Sequence, residues 1–132
     1  MGGSFPGGGS AITVILVVDD VGASVPWYRD VLGADVTRTY GQSAVLEFLG
    51  TWLLLVTAGG PTADKPDVSF APPEDAHRVS HSFTIRVEDC DAAYRELVHR
   101  GAEFLTPPLD RGGEIRCFFR DPDGHLFEIS QV

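Results

Sequence analysis

The chain has 132 residues, 43% of them apolar and 22% charged, which is typical of one ordinary globular domain. Its net charge of −9 argues against binding to nucleic acid or to an anionic membrane, because both would repel it. The sequence has no apolar run long enough for a membrane helix and no secretory signal. It also has too few cysteines for a disulfide scaffold. These features indicate a cytoplasmic protein that binds neither nucleic acid nor membranes.

The predicted elements begin after a glycine-rich stretch, MGGSFPGGGS, which we expect to be a flexible leader or tag over residues 1–10. The segment AITVILVV follows and is rich in β-branched residues, as strands are. ASVPWYRDVLG then has helical spacing and ends on Gly33. Pro26 predicts that this helix begins near Ala23, because proline is tolerated in the first turn. DVTRTY, SAVLEFL and TWLLLVT complete a first module, residues 11–58, as strands.

A linker is predicted over residues 59–79, which contain four prolines and no periodic pattern. The order of elements then starts again in residues 80–132. SHSFTIRV reads as a strand, DAAYRELVHRG as a helix, and AEFLTP, GEIRCFFR and HLFEIS as further strands. VVDDVGASVPWYRDVLGADV and RVEDCDAAYRELVHRGAEFL also share an acidic pair, a helix and a glycine in register. We therefore predict one domain, residues 11–132, made of two βαβββ modules.

The two modules predict an α+β fold with a central cleft. Their helices should pack on the outer side, so that the opposite faces of the strands form a U-shaped mixed sheet around that cleft. Such a concave surface is a natural site for a small molecule.

Two segments at opposite ends of the chain carry a resemblance to a known family. SVPWYRDVLG is similar to that family's S-x-x-F-Y-x-x-x-L-G helix, and RDPDGHLFEI is similar to its D-P-x-G-x-x-x-E ending. Over residues 12–131 the chain resembles the vicinal oxygen chelate superfamily, which includes glyoxalase I, extradiol dioxygenases, fosfomycin-resistance enzymes and bleomycin-binding proteins. The resemblance implies two βαβββ modules around a pocket. In enzymatic members His, Glu and Gln side chains at two positions per module hold a divalent metal ion there.

The resemblance places one of these metal positions at Glu128. Phe127 and Ile129 are expected in the core, so strand alternation directs Glu128 into the cleft. The internal repeat then assigns the remaining positions, which hold no usual metal ligand: Thr13, Ser82, and Leu54 or Leu55. Because catalytic metal sites normally have three protein ligands, we favour no cofactor, with a divalent metal ion as the alternative.

His81 is the residue that could restore a metal site, because it lies beside Ser82. Alternation argues against this role, since Ser82 and Thr84 face the cleft if Phe83 faces the core. A bulge at the start of the strand could still turn His81 inward. The remaining histidines are expected at the surface: His77, His99 and His125.

The expected ligand-binding residues are those that alternation and the repeat direct into the cleft: Thr13, Trp52, Ser82, Thr84, Arg116, Phe118 and Glu128. Trp52 could stack on a flat ligand or belong to the core or an interface. Arg116 could point inward beside Phe118 or form an outward salt bridge.

Three functions fit this pattern. The favoured one is a metal-free protein of the bleomycin-resistance type that binds a small cationic or aromatic drug or metabolite, as in antibiotic resistance. The second is a metal-dependent lyase, isomerase or dioxygenase that uses Glu128 with His81. The third is a metal-independent enzyme in which Glu128 is the general base. The resemblance also implies a homodimer, in which the linker allows either swapped or unswapped modules.

Overall fold

Two mixed β-sheets, one from each module, form the framework of the protein, which is represented by a computed structural model. The structure describes residue 3 and residues 5–132, so part of the predicted leader lies outside the described residues. The first module contains these elements: β1 (Thr13–Val18), α1 (Val21–Trp27), a π-helical segment (Tyr28–Leu32), β2 (Asp35–Thr39), β3 (Ser43–Phe48) and β4 (Thr51–Thr57). The second contains these: β5 (Phe83–Arg86), α2 (Cys90–His99), β6 (Glu103–Phe104), β7 (Leu109–Asp110), β8 (Ile115–Arg120) and β9 (Leu126–Gln131).

The same strand plan occurs in both modules. The first sheet has the order β1-β4-β3-β2 and the second the order β5-β9-β8-β6, with the short β7 paired to β8. In each sheet the first strand of the module is parallel to its last strand, and the other pairs are antiparallel. This repeated order confirms the predicted α+β fold of two βαβββ modules.

The first helix begins earlier than predicted. Asp20 caps it by accepting a hydrogen bond from the backbone N–H of Gly22, so α1 starts at Val21 and not near Ala23. Pro26 therefore lies inside the helix, where its missing N–H leaves one backbone carbonyl without its usual donor. Directly after Pro26 the helix widens into the π-helical segment, which ends at Gly33 in the left-handed conformation, φ 87°.

One hydrophobic core lies between the two modules. Alternate residues of each sheet enter it, as Leu16 and Leu55 do in the first module and Cys117 and Ile129 in the second. Trp27 joins the two halves, because its ring lies 6.2 Å from that of Phe119 and 6.0 Å from that of Phe127. Each sheet therefore buries one face in the common core and leaves its other face open.

The two cysteines are free and buried in this core, as expected of packing residues. Burial raises the pKa of both thiols, that of Cys117 to about 12. Both side chains are therefore neutral thiols near neutral pH.

The turn between β8 and β9 joins the modules. Asp121, the first residue of the turn, accepts a hydrogen bond from the Tyr28 hydroxyl at 2.6 Å. Asp123 accepts from the backbone N–H of Asp19 at 3.0 Å and from the Ser24 hydroxyl at 3.1 Å. We call residues 121–125 the clasp, because they hold the second module against the first.

No helix in the part of the chain that the structure describes is long and apolar enough to cross a membrane.

Candidate functional site

The open face of the second sheet carries most of the predicted site. Strand alternation places its core residues on one side and a set of polar side chains on the other. We call this second set the ionic face: Thr84, Arg86, Glu114, Arg116, Glu128 and Ser130. Glu128 is paired with Thr84 on one neighbouring strand and with Phe118 on the other.

Both carboxylate oxygens of Glu128 have partners on the ionic face. The Thr84 hydroxyl donates a hydrogen bond to Oε1 at 2.6 Å, and Arg116 Nε lies 3.7 Å from Oε2. Glu128 is only 6% exposed, so its negative charge depends on these two contacts. The structure thus places Arg116 on the ionic face beside Glu128, with its guanidinium 5.9 Å from the centre of the Phe118 ring.

The network continues from Arg116 to Glu114 and across to Arg86. Arg116 Nη1 lies 3.1 Å from Glu114 Oε1, and Arg86 Nη1 lies 3.7 Å from Glu114 Oε2. Ser130 donates its hydroxyl proton to Glu114 and accepts a hydrogen bond from Arg86 at 2.9 Å. The hydrogen bond from Ser130, and then the two guanidinium charges, lower the pKa of Glu114. The ionic face therefore holds two cations and two anions.

Three members of the ionic face are missing from the predicted ligand-binding residues: Arg86, Glu114 and Ser130. A signal for them existed in the sequence. Each lies two residues from a predicted site residue on the same strand or its extension, so the period-two rule directs each to the same face.

Thr13 and Trp52 lie on the open face of the first sheet, where they are register partners. We call this surface the apolar face, and its members include Thr13, Ile15, Val45, Trp52 and Leu54. A cavity of about 550 Å³ is lined by this face together with Arg38 and Tyr40. Leu54, not the fully buried Leu55, occupies the predicted metal position of this strand.

Ser82 lies at the junction between the two modules. Its hydroxyl donates to the backbone carbonyl of Leu126 at 3.2 Å. With Thr84 and Arg86 it lines a junction cavity of about 500 Å³, whose other wall comes from the first module. The predicted site thus divides between the two sheets: Thr13 and Trp52 lie on the apolar face, Thr84, Arg116, Phe118 and Glu128 lie on the open face of the second sheet, and Ser82 lies at the junction.

Two histidines lie apart from Glu128. His81 packs edge-on against Phe83, with ring centres 5.4 Å apart, and lies 6.2 Å from His125. The prediction that His125 is a surface residue is wrong, because it is only 5% exposed. Its Nε2 lies 2.7 Å from the backbone carbonyl of Val17, and this contact between the modules buries the ring.

The residues present do not fit a divalent metal ion at the position that the resemblance assigns to one. Glu128 is the only usual ligand among the four positions, and Arg116 already places a positive charge beside it. In residues 3 and 5–132, no group of three or more His, Cys, Asp or Glu side chains is arranged to hold a metal ion.

The site can nevertheless bind an organic molecule. Arg86 and Arg116 are 55% and 39% exposed at their side chains, so their outer N–H groups are open to a ligand. A general base, by contrast, needs a carboxylate oxygen within reach of the substrate's proton, and Thr84 and Arg116 already engage those of Glu128.

Comparisons with known proteins agree with this fold. Residues 11–129 match the family model described as Glyoxalase/Bleomycin resistance protein/Dioxygenase superfamily. The metallothiol transferase FosB of Shouchella clausii (strain KSM-K16) is 29% identical over 116 residues, which cover 85% of this chain and 73% of FosB.

Two solved structures have the same architecture. A glyoxalase/bleomycin resistance protein/dioxygenase from Nocardioides is 27% identical and has a TM-score of 0.75, covering 92% of this chain and 82% of its own. A mutant of the fosfomycin resistance protein FosX from Listeria monocytogenes, solved with Mn(II) and 1S,2S-dihydroxypropylphosphonic acid, is 17% identical with a TM-score of 0.64. It covers 92% of this chain and 88% of its own. The chain therefore belongs to the glyoxalase/bleomycin resistance protein/dioxygenase superfamily.

Proposed function

We propose that this protein binds a small organic molecule, a drug or metabolite, against its ionic face and needs no metal ion to do so. The observation that carries the proposal is the contact between Arg116 and Glu128. The Arg116 guanidinium lies beside the buried carboxylate and compensates its charge without a metal ion.

The side chains of the two open faces suggest the class of ligand. The ionic face offers guanidinium and carboxylate groups side by side, which suit a ligand that has both donors and acceptors. The apolar face offers Trp52, 43% exposed, beside Leu54 and Tyr40, which suit a flat or aromatic group. A cationic or aromatic molecule with polar substituents meets both requirements.

We propose further that the complete cleft forms between two chains. Both faces point away from the common core, and the cavity over the apolar face is lined by first-module residues alone within the described chain. Exposed apolar side chains such as Ile15, 46% exposed, favour a partner surface. In a homodimer, the apolar face of one chain can lie opposite the ionic face of the other. A cytoplasmic location stays a prediction.

A metal-dependent reaction is the second candidate, because the names of the relatives support it. FosB is described as a metallothiol transferase, and the FosX mutant was solved with Mn(II). For this chain that reading would require Glu128 and His81 to act together. His81 instead contacts Phe83 and His125. We therefore keep the metal-free function as the proposal.

The test is ligand binding by protein that has been freed of metal with EDTA. We would titrate a panel of cationic and aromatic antibiotics, bleomycin included, and follow the intrinsic fluorescence of the two tryptophans, Trp27 and Trp52. A compound that binds should bind equally well before and after EDTA treatment. Glu128→Gln should weaken binding about tenfold, because Arg116 would lose the charged partner that holds its guanidinium on the ionic face.

The matched control is Glu103→Gln, which removes an exposed carboxylate from β6, away from the ionic face. It should leave binding unchanged. Binding that disappears with EDTA and returns with Mn²⁺ would support the metal-dependent candidate instead.

A further inference from the structure

A third cavity, of about 190 Å³, lies between the linker and the β8–β9 hairpin. Arg78 and Val79 at the end of the linker, and Ser80 and His81 directly after it, form what we call its linker side, and Gly124 and His125 form part of its hairpin side. We call it the linker pocket. It is smaller than the 300 Å³ or more that drug-sized ligands usually occupy, so it suits a small group.

The charge of the linker pocket is opposite to that of the whole protein. Its ionisable lining residues are Arg78, His81 and His125, and no acidic residue lines it among those that the structure describes. The whole chain, by contrast, has 19 acidic residues and only 10 lysines and arginines. A basic pocket on an acidic protein favours a negatively charged ligand.

Several hydrogen-bond donors of the pocket also lack partners. Within the described residues, the guanidinium of Arg78, the hydroxyl of Ser80 and the backbone N–H groups of Val79 and Ser80 have no protein acceptor, and these residues are exposed to solvent. These donors lie on three consecutive residues of the same wall. Adjacent backbone and side-chain donors of this kind are the usual ligands of an oxyanion.

His125 is the most buried ionisable residue of the pocket lining. Its Nε2 donates to the carbonyl of Val17, so Nδ1 is a bare acceptor in the neutral ring. That Nδ1 is buried and has no hydrogen-bond partner among the described residues. A phosphate group offers three strong acceptor oxygens to the donors of Arg78 and Ser80, whereas a carboxylate ion offers two.

We propose that the linker pocket binds a phosphate group, either free or as the head of a small phosphate monoester. Arg78 and Ser80 bind its oxygens from the linker side, and the pocket is separate from the ionic face. Neither the linker nor the hairpin alone carries all of these groups, so a bound phosphate would also hold the linker against the second module.

The experiment compares inorganic phosphate, methyl phosphate and acetate by isothermal titration calorimetry and thermal unfolding, with sodium chloride at matched ionic strength. We expect phosphate to bind with one site per chain and to raise the unfolding midpoint above that in chloride. Acetate should bind more weakly. Tighter binding of methyl phosphate than of phosphate would identify a monoester head as the ligand, and equal or weaker binding would identify free phosphate.

Arg78→Gln should weaken phosphate binding about tenfold, the loss of one charge-assisted hydrogen bond. The matched control, Arg95→Gln, removes an exposed arginine of α2 that does not line the pocket and should bind normally. His81→Gln, a second variant on the linker side of the pocket, should also weaken phosphate binding. The proposal is overturned if phosphate stabilises the protein no more than chloride does, or if Arg78→Gln binds as the wild type does.

Discussion

Glu128 is a carboxylate held by protein partners and not a free group. It is nearly fully buried, and a buried charge is tolerated when it is paired and hydrogen-bonded. Thr84 supplies the hydrogen bond and Arg116 the opposite charge. If either partner is removed, the carboxylate stays buried but loses a contact that offsets the cost of burying its charge. The protein should then lose stability, and this loss can be measured.

A double-mutant cycle tests this pairing. Arg116→Gln and Glu128→Gln should each destabilise the protein, and the double variant should be more stable than the sum of the two losses predicts. Because Arg116 is 39% exposed at its side chain and the atoms are 3.7 Å apart, the coupling energy should be about 1 kcal/mol or less. Urea unfolding measures it. The control cycle combines Glu128→Gln with Arg111→Gln, which removes an arginine from the exposed loop before β8. Its coupling energy should be zero.

Residue positions were predictable from the sequence where local alternation determines them. Glu128, Thr84, Arg116 and Phe118 share one face because residues two apart on a strand point the same way. The burial of His125 was not predictable, because its partner Val17 lies 108 residues away in the sequence. Which residues act on a ligand stays a prediction.

At the scale of elements, the β8–β9 turn has two roles. DPDG forms the expected turn, with Gly124 at φ 98° and its N–H donating to the carbonyl of Asp121. The same segment also forms the clasp, through Asp121 to Tyr28, Asp123 to Asp19 and Ser24, and His125 to Val17. The sequence motif indicates the turn alone, because the contacts of the clasp depend on how the modules pack.

The clasp should make stability depend on pH. Burial, the largest cause, raises the pKa of Asp121 above its ordinary value of 3.8. A carboxyl with a raised folded pKa contributes its stability below the unfolded pKa, and the contribution is lost as pH rises through the folded pKa. Asp121→Asn is neutral at every pH. Its free energy of unfolding, relative to that of the wild type, should therefore increase as pH rises from about 4 to 8.

Urea unfolding across that pH range measures this difference in the free energy of unfolding. The control is Asp35→Asn, which removes an exposed carboxylate from β2; its free energy of unfolding should change with pH in the same way as that of the wild type. A difference between Asp121→Asn and the wild type that stays flat or decreases with pH would show that Asp121 is not the responsible group. Tyr28 should not titrate in this range, because burial and the Asp121 carboxylate raise its pKa well above the ordinary value.

On the scale of the whole molecule, the common core explains why the two open faces do not meet within one chain. Trp27 and Tyr28 of the first module pack against Phe127 of the second, so the modules are joined through their buried sides. The apolar and ionic faces then point outward. We propose that the apolar face of a second chain lies opposite the ionic face.

A dimer that depends on Trp52 is therefore expected. Sedimentation velocity should show a wild-type dimer, and Trp52→Ala should raise its dissociation constant about tenfold, as loss of an aromatic anchor does. Val98→Ala, which trims an exposed apolar residue of α2, should leave the dimer intact. A wild-type protein that is monomeric at every concentration would contradict the composite cleft.

The order of elements was largely predictable, because the sequence of each module carries both the internal repeat and the hydrophobic periodicity of its strands and helix. Local signals were weaker guides to boundaries. Pro26 suggested a helix start near Ala23, whereas the Asp20 cap starts the helix at Val21. The packing of modules through the core, which separates the two faces, depends on contacts between distant residues and had no local signal.

Metal content is the measurement that tests the central claim most directly. Elemental analysis of tag-free protein, followed by calorimetric titration with Mn²⁺ and Zn²⁺, should show no stoichiometric metal ion and no one-to-one binding. The reason is that Arg116 already compensates the charge of Glu128. One divalent ion per chain that is lost in Glu128→Gln or His81→Ala, and kept in the control His99→Ala, would contradict the metal-free account.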